Sequence, residues 1–287
     1  MFKNVYSKNK SVNYGRNLAA TKRCKIFETI AINVWNRIIR SHLVGVDLNE
    51  IGVTDSILTD LLIYHGTHVP NSGLYAQNGW KEQINGSDID VFVEVQPNKY
   101  LWFALQAKIL KIANIYPTQS LRHPNKSGVI QWDMLLNLQS ISGCIPYYLL
   151  YNGLNLVKSS TNHDQCNRSF QISQFGCSLV KPDIVKSIGS RNNAHGFISP
   201  KFEDFHPQHA QPWRILTCCR HDFGNLTVYS LSDVLGAKRD YDVLIPAKQP
   251  IDFQVNASQD NRIRSASLRA GWDAAIMLIS QLSKSIK

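Results

Sequence analysis

The sequence predicts a mixed α/β fold in which helices flank a small central sheet. Three observations carry this: two apolar helical stripes before residue 66, a period-two hairpin over 88–108, and a helix followed by an apolar strand over 129–151. After residue 153 the periodicities weaken, and a less defined α+β region is expected. The chain therefore divides into a basic arm over 1–25, a main folded unit over 26–155, and a C-terminal region over 156–287 that can pack on that unit.

Residues 1–25 carry Lys3, Lys8, Lys10, Arg16, Lys22, Arg23 and Lys25, with no acid before Glu28. Such a stretch reads either as a flexible arm tracking a phosphate backbone or as a solvated terminus. From 26 to 43, Phe27, Ile30, Ala31, Val34, Trp35 and Ile38 recur at helical spacing. A second helix is expected over 54–65, with Thr54 and Asp55 as N-cap types and Glu50 just before it. His65 to Gly73 reads as a loop, and Leu74 to Trp80 as an extended segment. DIDVFVEVQ at 88–96 alternates polar and apolar, as a half-buried strand does. Pro97, Asn98 and Lys99 supply a turn, and YLWFALQAK at 100–108 returns as the second strand. A loop over 109–128 leads to a helix over 129–141, then to IPYYLLY at 145–151 and an Asn152-Gly153 turn. Further strands or short elements are expected over 226–235 and 242–246. A closing helix over 262–285 is marked by Ala275, Leu278, Ile279 and Leu282.

Composition narrows the class of protein. Hydrophobic residues make up 44% of 287, enough for a sizeable core. The formal charge of +10 favours a polyanionic partner, since each neutralised phosphate releases counterions. Six cysteines stand at irregular spacings with no CxxC, so free thiols in a cytoplasmic setting are expected. No apolar leader or run long enough for a membrane span is visible, and no membrane partner is expected.

The chemistry concentrates in GSDID at 86–90 and QAK at 106–108. On a strand, residues i and i+2 share a face and lie roughly 7 Å apart, so Gln106 and Lys108 project together. The hairpin brings the start of its first strand to the end of its second, which sets Asp88 beside them. Phosphodiester hydrolysis needs a hard cation on oxygen ligands, and Asp88 with a second oxygen donor can supply two. A lysine beside such acids can orient water and offset charge in the transition state. Gly86 allows close backbone approach just before Asp88, or is an ordinary turn glycine.

The order of Asp88, then Gln106 and Lys108 across a hairpin resembles the PD-(D/E)xK, or restriction-endonuclease-like, nuclease superfamily in its QxK variant. Within that resemblance Glu50 takes the helix-linked acidic position, Asp88 the first motif, and Gln106 with Lys108 the second. It implies a restriction-endonuclease-like core and a metal-dependent endonuclease using Mg²⁺ or Mn²⁺. Glu50, Asp88 and Gln106 would be the metal ligands and Lys108 the water-orienting cation. It also implies nucleic acid as partner, DNA ahead of RNA, and a role in restriction or anti-phage defence. Gln106 replaces the usual acid, and Ser87 stands where a Pro is normal. ETIAINVW, NEIGVTDSIL, KEQINGSDID, WFALQAK and IPYYLLYNG further resemble a bacterial family of unknown function over about 27–153, continuing through FGCSLV and QPWRILTC.

Supporting roles are weighed for Gln131 at the start of the following helix, for Asp90 on the face of Asp88, and for Glu82 just upstream. Each has an ordinary alternative as a cap, a core acid or a solvated acid. Lys111, Arg122 and Lys126 can meet a phosphate backbone or form a solvated basic loop. Trp80, Trp102 and Trp132 read as core. His206 and His209 have no convincing Ser or Cys partner nearby in sequence, so no nucleophile is assigned. The rival readings are a nuclease-like module that binds nucleic acid without cutting it, and a protein-interaction or structural component. Endonucleases that cut both strands often do so as homodimers, but no interface is legible.

Overall fold

The computed structural model describes residues 14–68, 72–79, 85–155, 170–217 and 226–237. In chain order the elements are α1 (Tyr14–Leu43), α2 (Glu50–His68), β1 (Leu74–Asn78), β2 (Ile89–Gln96), β3 (Lys99–Ile109), α3 (Thr118–Leu121), α4 (Gln131–Ser142) and β4 (Ile145–Tyr151). Then come β5 (Cys177–Val180), α5 (Pro182–Gly189), β6 (Asn192–Asn193), β7 (Gly196–Phe197), α6 (Phe202–Phe205), β8 (Gln211–Pro212), β9 (Tyr229–Ser230) and α7 (Leu231–Ala237). Two 3₁₀ turns, Ile172–Gly176 and Trp213–Thr217, lead into and out of these later strands.

The fold is mixed α/β, with helices on both faces of a central, mostly antiparallel sheet. Its strand order is β1-β2-β3-β4-β5-β8, and β9 pairs with β3. β1, β2 and β3 form an antiparallel meander, because a short turn at Pro97 and Asn98 can only reverse the chain. Between β3 and β4 the chain passes through α4, and that crossover lets the two strands run parallel. The sheet is larger than the small one expected, since β5, β8 and β9 all come from the chain after residue 155.

Two hydrophobic layers sandwich the sheet. On one face Phe27, Ile30 and Ile38 of α1 and Val53, Ile57 and Leu61 of α2 pack on Ile89, Val91, Phe103, Leu105 and Ala107. On the other, Trp132, Leu135 and Leu138 of α4 and Val185 and Ile188 of α5 pack on Phe92, Trp102, Ala104 and Tyr148. β3 lies at the centre, and all its residues except Lys99 are buried. A strand covered on both faces needs an apolar run rather than alternation, which explains YLWFAL.

Several boundaries differ from the sequence reading. α1 begins at Tyr14, so the second half of the expected basic arm is helical, in keeping with the high helix propensity of Ala19 and Ala20. α2 begins at Glu50 rather than 54. Asn49 accepts the Ile51 N–H at 3.1 Å, while Thr54 is buried and bonded to the Tyr151 hydroxyl at 3.0 Å. Gly52 and the β-branched Ile51 and Val53 weaken the local helical signal there. α2 continues to His68, through the expected loop start at His65. Asn152 is no turn residue. It is buried, and it accepts the Tyr116 hydroxyl and donates to the Phe175 carbonyl at 2.7 Å. Residues 1–13, the expected strand over 242–246 and the closing helix over 262–285 lie outside the described residues.

The later chain is packed into the same core. Trp213 is fully buried, lies 4.3 Å from Phe27 between ring centroids at a tilt of 40°, and donates to the Phe27 carbonyl at 2.6 Å. Replacing Trp213 by Ala removes a large core side chain and should cost about 3–5 kcal/mol. In urea denaturation followed by circular dichroism, the whole unfolding curve is expected to move to lower urea as a single transition. A variant that leaves the main transition in place would mean that the Trp213 segment folds as a unit of its own.

Candidate active site

The β2–β3 register sets the site. Ile89 pairs with Leu105, so the next residue outward on one strand, Asp88, faces the next on the other, Gln106. Beyond Ile89 the edge of β3 would be left without its neighbour. The Asp88 carboxylate fills that gap: Oδ2 accepts the Ala107 N–H at 2.7 Å and the Gln106 side-chain amide through a short hydrogen bond from Nε2. Asp88 also holds the chain through its backbone, with its N–H on the Leu105 carbonyl at 2.8 Å and its carbonyl taking the Gly79 N–H at 2.6 Å.

Gln106 is wholly buried, and its Oε1 has no hydrogen-bond partner among the described residues. A buried amide oxygen without a donor costs about 1–3 kcal/mol, and such an oxygen can accept from a water or coordinate a cation. Lys108 is 4% exposed and donates to Glu50 Oε1 at 3.3 Å. Glu50 is the first residue of α2, where an acid is favoured by the positive end of the helix. Asp88, Gln106, Lys108 and Glu50 are thus linked as two hydrogen-bonded pairs on consecutive outward positions of β3.

Tyr148 stands opposite Gln106 in the β3–β4 register. Burial pushes its hydroxyl well above the ordinary tyrosine range, and the charges of Asp88, Asp133 and Glu50 push the same way. It therefore keeps its proton, which it directs to the Leu121 carbonyl at 3.4 Å.

The remaining predicted residues take different places. Asp90 is buried and accepts from Trp102 Nε1 at 2.9 Å and from Ser87 Oγ at 3.4 Å, so its carboxylate braces the hairpin beneath Asp88. Gln131 is 2% exposed at the start of α4, and its carbonyl oxygen lies 3.0 Å from where a Cβ on Gly86 would stand. Gly86 also has φ +73°, so both backbone conformation and close packing demand glycine there. Lys111 donates to the Leu48 carbonyl at 3.1 Å, tying the loop after β3 to the entry of α2. The Arg122 guanidinium lies against Phe197 and Trp132, while Lys126 is exposed. Glu82 and Trp80 lie outside the described residues. Among the described residues no three His, Cys, Asp or Glu side chains are grouped to hold a metal. The grouping at Asp88 differs in that one of its oxygen donors is an amide.

The sequence pattern of one protein family matches residues 23–282. The chain belongs to that family of unknown function, DUF6615. No curated protein matches it. The match takes in all four linked residues of the DUF6615 chain and its described strands beyond 155.

Two features were not anticipated from sequence. A Cβ on Gly79 would stand 2.0 Å from the Ser87 carbonyl oxygen, so this glycine lets β1 run against the Asp88 segment. Its only trace in the sequence is an Asn-Gly pair closing a short strand. The second is a buried polar network in which Ser178 Oγ lies 2.7 Å from His206 Nε2, while His206 Nδ1 meets the Phe202 carbonyl at 2.9 Å. A Ser–His pair of this geometry can activate an alcohol. Here both side chains are buried and bonded to Asn152, whose Nδ2 reaches Ser178 at 3.1 Å. The network joins β4, β5 and α6, and its side chains are buried among the described residues.

The amide at 106 has a measurable consequence. A Gln106→Glu variant replaces the donor facing Asp88 by a second carboxylate at hydrogen-bond distance. In metal-free buffer at neutral pH it should lose about 1–3 kcal/mol of stability. Thermal unfolding in EDTA checks this. Equal melting temperatures would show that the Gln106–Asp88 bond contributes nothing to the resting fold.

Proposed function

We propose that the chain is a metal-dependent endonuclease that hydrolyses phosphodiester bonds, with DNA preferred over RNA. The observation that carries this reading is the meeting of Asp88, Gln106, Lys108 and Glu50 at one end of β3, with the buried Gln106 Oε1 lacking a partner among the described residues. The run of helix, three antiparallel strands, helix and parallel strand fits a restriction-endonuclease-like core.

The donor set suits a hard divalent cation. Asp88 and Glu50 bring carboxylate oxygens, and Gln106 brings a neutral amide oxygen, the ligand types that Mg²⁺ and Mn²⁺ take. One amide carries both a donor for the Asp88 carboxylate and an acceptor for a cation, so the same side chain serves either state. When bound, such a cation supplies Lewis-acid polarisation of the scissile phosphoryl group.

The chain's own groups do the rest. Lys108 Nζ gives one hydrogen to Glu50 and has two more for a phosphate oxygen or an attacking water. Because Lys108 is almost fully buried, its charge acts through little screening and stabilises the extra negative charge of the transition state. Asp88 keeps Ala107 and Gln106 in place, which fixes the direction of Lys108 one residue further on. Tyr148 closes the strand beside Gln106 with an un-ionised hydroxyl and takes no part as a base.

A second reading is a nucleic-acid-binding module of the same fold that does not cut. It is favoured by Gln106 standing where a third carboxylate would strengthen metal binding, and by its present bond to Asp88. Function in restriction or anti-phage defence and assembly as a homodimer rest on resemblance alone. Among the described residues no helix is long and apolar enough to cross a membrane.

Incubation of plasmid and single- or double-stranded oligonucleotides with Mg²⁺ or Mn²⁺, beside EDTA, tests the reading. Cleavage is expected with metal only, and Lys108→Ala should lower it about 10²–10³-fold. A Lys108→Ala protein that cuts as well as wild type would remove the assignment. Binding without cleavage of any substrate would favour the second reading.

A further inference from the structure

The geometry points to Phe197 as a stacking platform for an unpaired nucleobase beside the candidate active site. This inference rests on the nucleic-acid reading above and narrows it to a strand whose bases are not paired at that point.

The platform is built from three elements. β6 and β7 form a two-stranded hairpin, and residues 191–198 around it are all exposed. The hairpin is nevertheless tied down: the Ile198 N–H donates to the Arg191 carbonyl at 3.0 Å, the His195 N–H to Asn193 Oδ1 at 2.8 Å, and Arg191 to Asp204 at 2.8 Å. Phe197, on its returning strand, is 52% exposed and belongs to neither hydrophobic core. An aromatic ring so placed gains little from folding. Its orientation is still set, because the Arg122 guanidinium lies 3.7 Å from the ring centroid and 5.5 Å from that of Trp132.

That stack reaches the start of α4, which packs against the segment leading to Asp88. Trp132 follows Gln131 directly, and the Gln131 carbonyl packs on Gly86, two residues before Asp88. A ring backed on one face by a guanidinium has its other face suited to another flat π system, and the same positive charge suits the phosphate attached to it. Charge complementarity supports an anionic occupant over a neutral or basic one, and the open ring face favours a nucleotide among anions. Asp133, next to Trp132 in the chain, and Asp204, which holds Arg191 of the hairpin, are paired with Lys186 and Arg191, each at 2.8 Å. His123 and Lys126, on the loop of Arg122, are exposed. In an intact duplex the faces of the bases are covered by their neighbours. A single strand, a frayed end or an extruded base is what such a ring can take.

The test is fluorescence anisotropy of a labelled oligothymidylate, and of a labelled blunt duplex of equal length, with the full chain in EDTA. No cleavage occurs under those conditions, so the result does not depend on the nuclease reading. Phe197→Ala is expected to weaken oligothymidylate binding about tenfold and duplex binding by less than about twofold. Phe197→Trp should keep wild-type affinity and lose indole emission when the strand binds. Phe197 lies outside the core, so both variants should melt with the wild type. Unchanged oligothymidylate affinity in Phe197→Ala, an equal loss on both ligands, or no binding of oligothymidylate by the wild type would each overturn the inference. A protein that binds the strand through Phe197 yet cuts nothing would sustain it while removing the nuclease. One that cuts duplex with Phe197→Ala unaffected would do the reverse.

Discussion

β3 is covered by helices on both faces, and that burial is the constraint from which the site follows. A strand so enclosed is apolar along most of its length, yet its last turn of sequence holds Gln106 and Lys108, both almost without solvent. Polar and charged groups stay buried only with partners, since desolvation otherwise costs several kcal/mol. The partners come from different parts of the chain: Asp88 from the neighbouring strand and Glu50 from the start of α2. The fold therefore has to bring α2, the β2 entry and the β3 exit to one place for Gln106 and Lys108 to be buried with partners. Gly79 and Gly86 serve the same end by letting β1 and α4 approach the Asp88 segment more closely than any side chain permits.

The later chain extends and seals the same core. β5 extends the sheet past β4, and Trp213 seals α1 against the sheet. The network of Ser178, His206, Asn152 and Tyr116 satisfies polar groups where those elements meet. Its members resemble catalytic residue types, but burial gives them a structural task. The exposed hairpin carrying Phe197 is the contrary case, an apolar ring held in solvent by Arg122 with no part in either core.

What could be read from sequence follows the range of the interaction. Asp88 facing Gln106 is a matter of strand period and one tight turn, so a local pattern was enough. The pairing of Lys108 with Glu50 spans 58 positions and has no local signature. The resemblance alone brings Glu50 to the site, as a metal ligand rather than as the partner of Lys108, and Thr54 and Asp55 read as N-cap types while Gly52 and its β-branched neighbours mask the Asn49 cap. The roles expected of Lys111 and Arg122 were read from charge alone. Charge does not reveal that one is anchored to the Leu48 carbonyl or that the other is stacked on Phe197. Asp90 shares the Asp88 face as its spacing implies, but the indole that claims it is twelve residues away. The Ser178–His206 contact joins segments with weak periodicity and could not be paired by inspection.

Asp88, with Gln106 and Glu50, is proposed to form a site for a hard divalent cation. Titration of the full chain with Mn²⁺, followed by the loss of the free-ion electron paramagnetic resonance signal, addresses it directly. The companion is Asp88→Asn, which keeps the side-chain shape and an oxygen for the Ala107 N–H while removing the charge. Saturable binding of Mn²⁺ by the wild type is expected, with its loss in Asp88→Asn. No binding by the wild type, or equal binding by both, would contradict it.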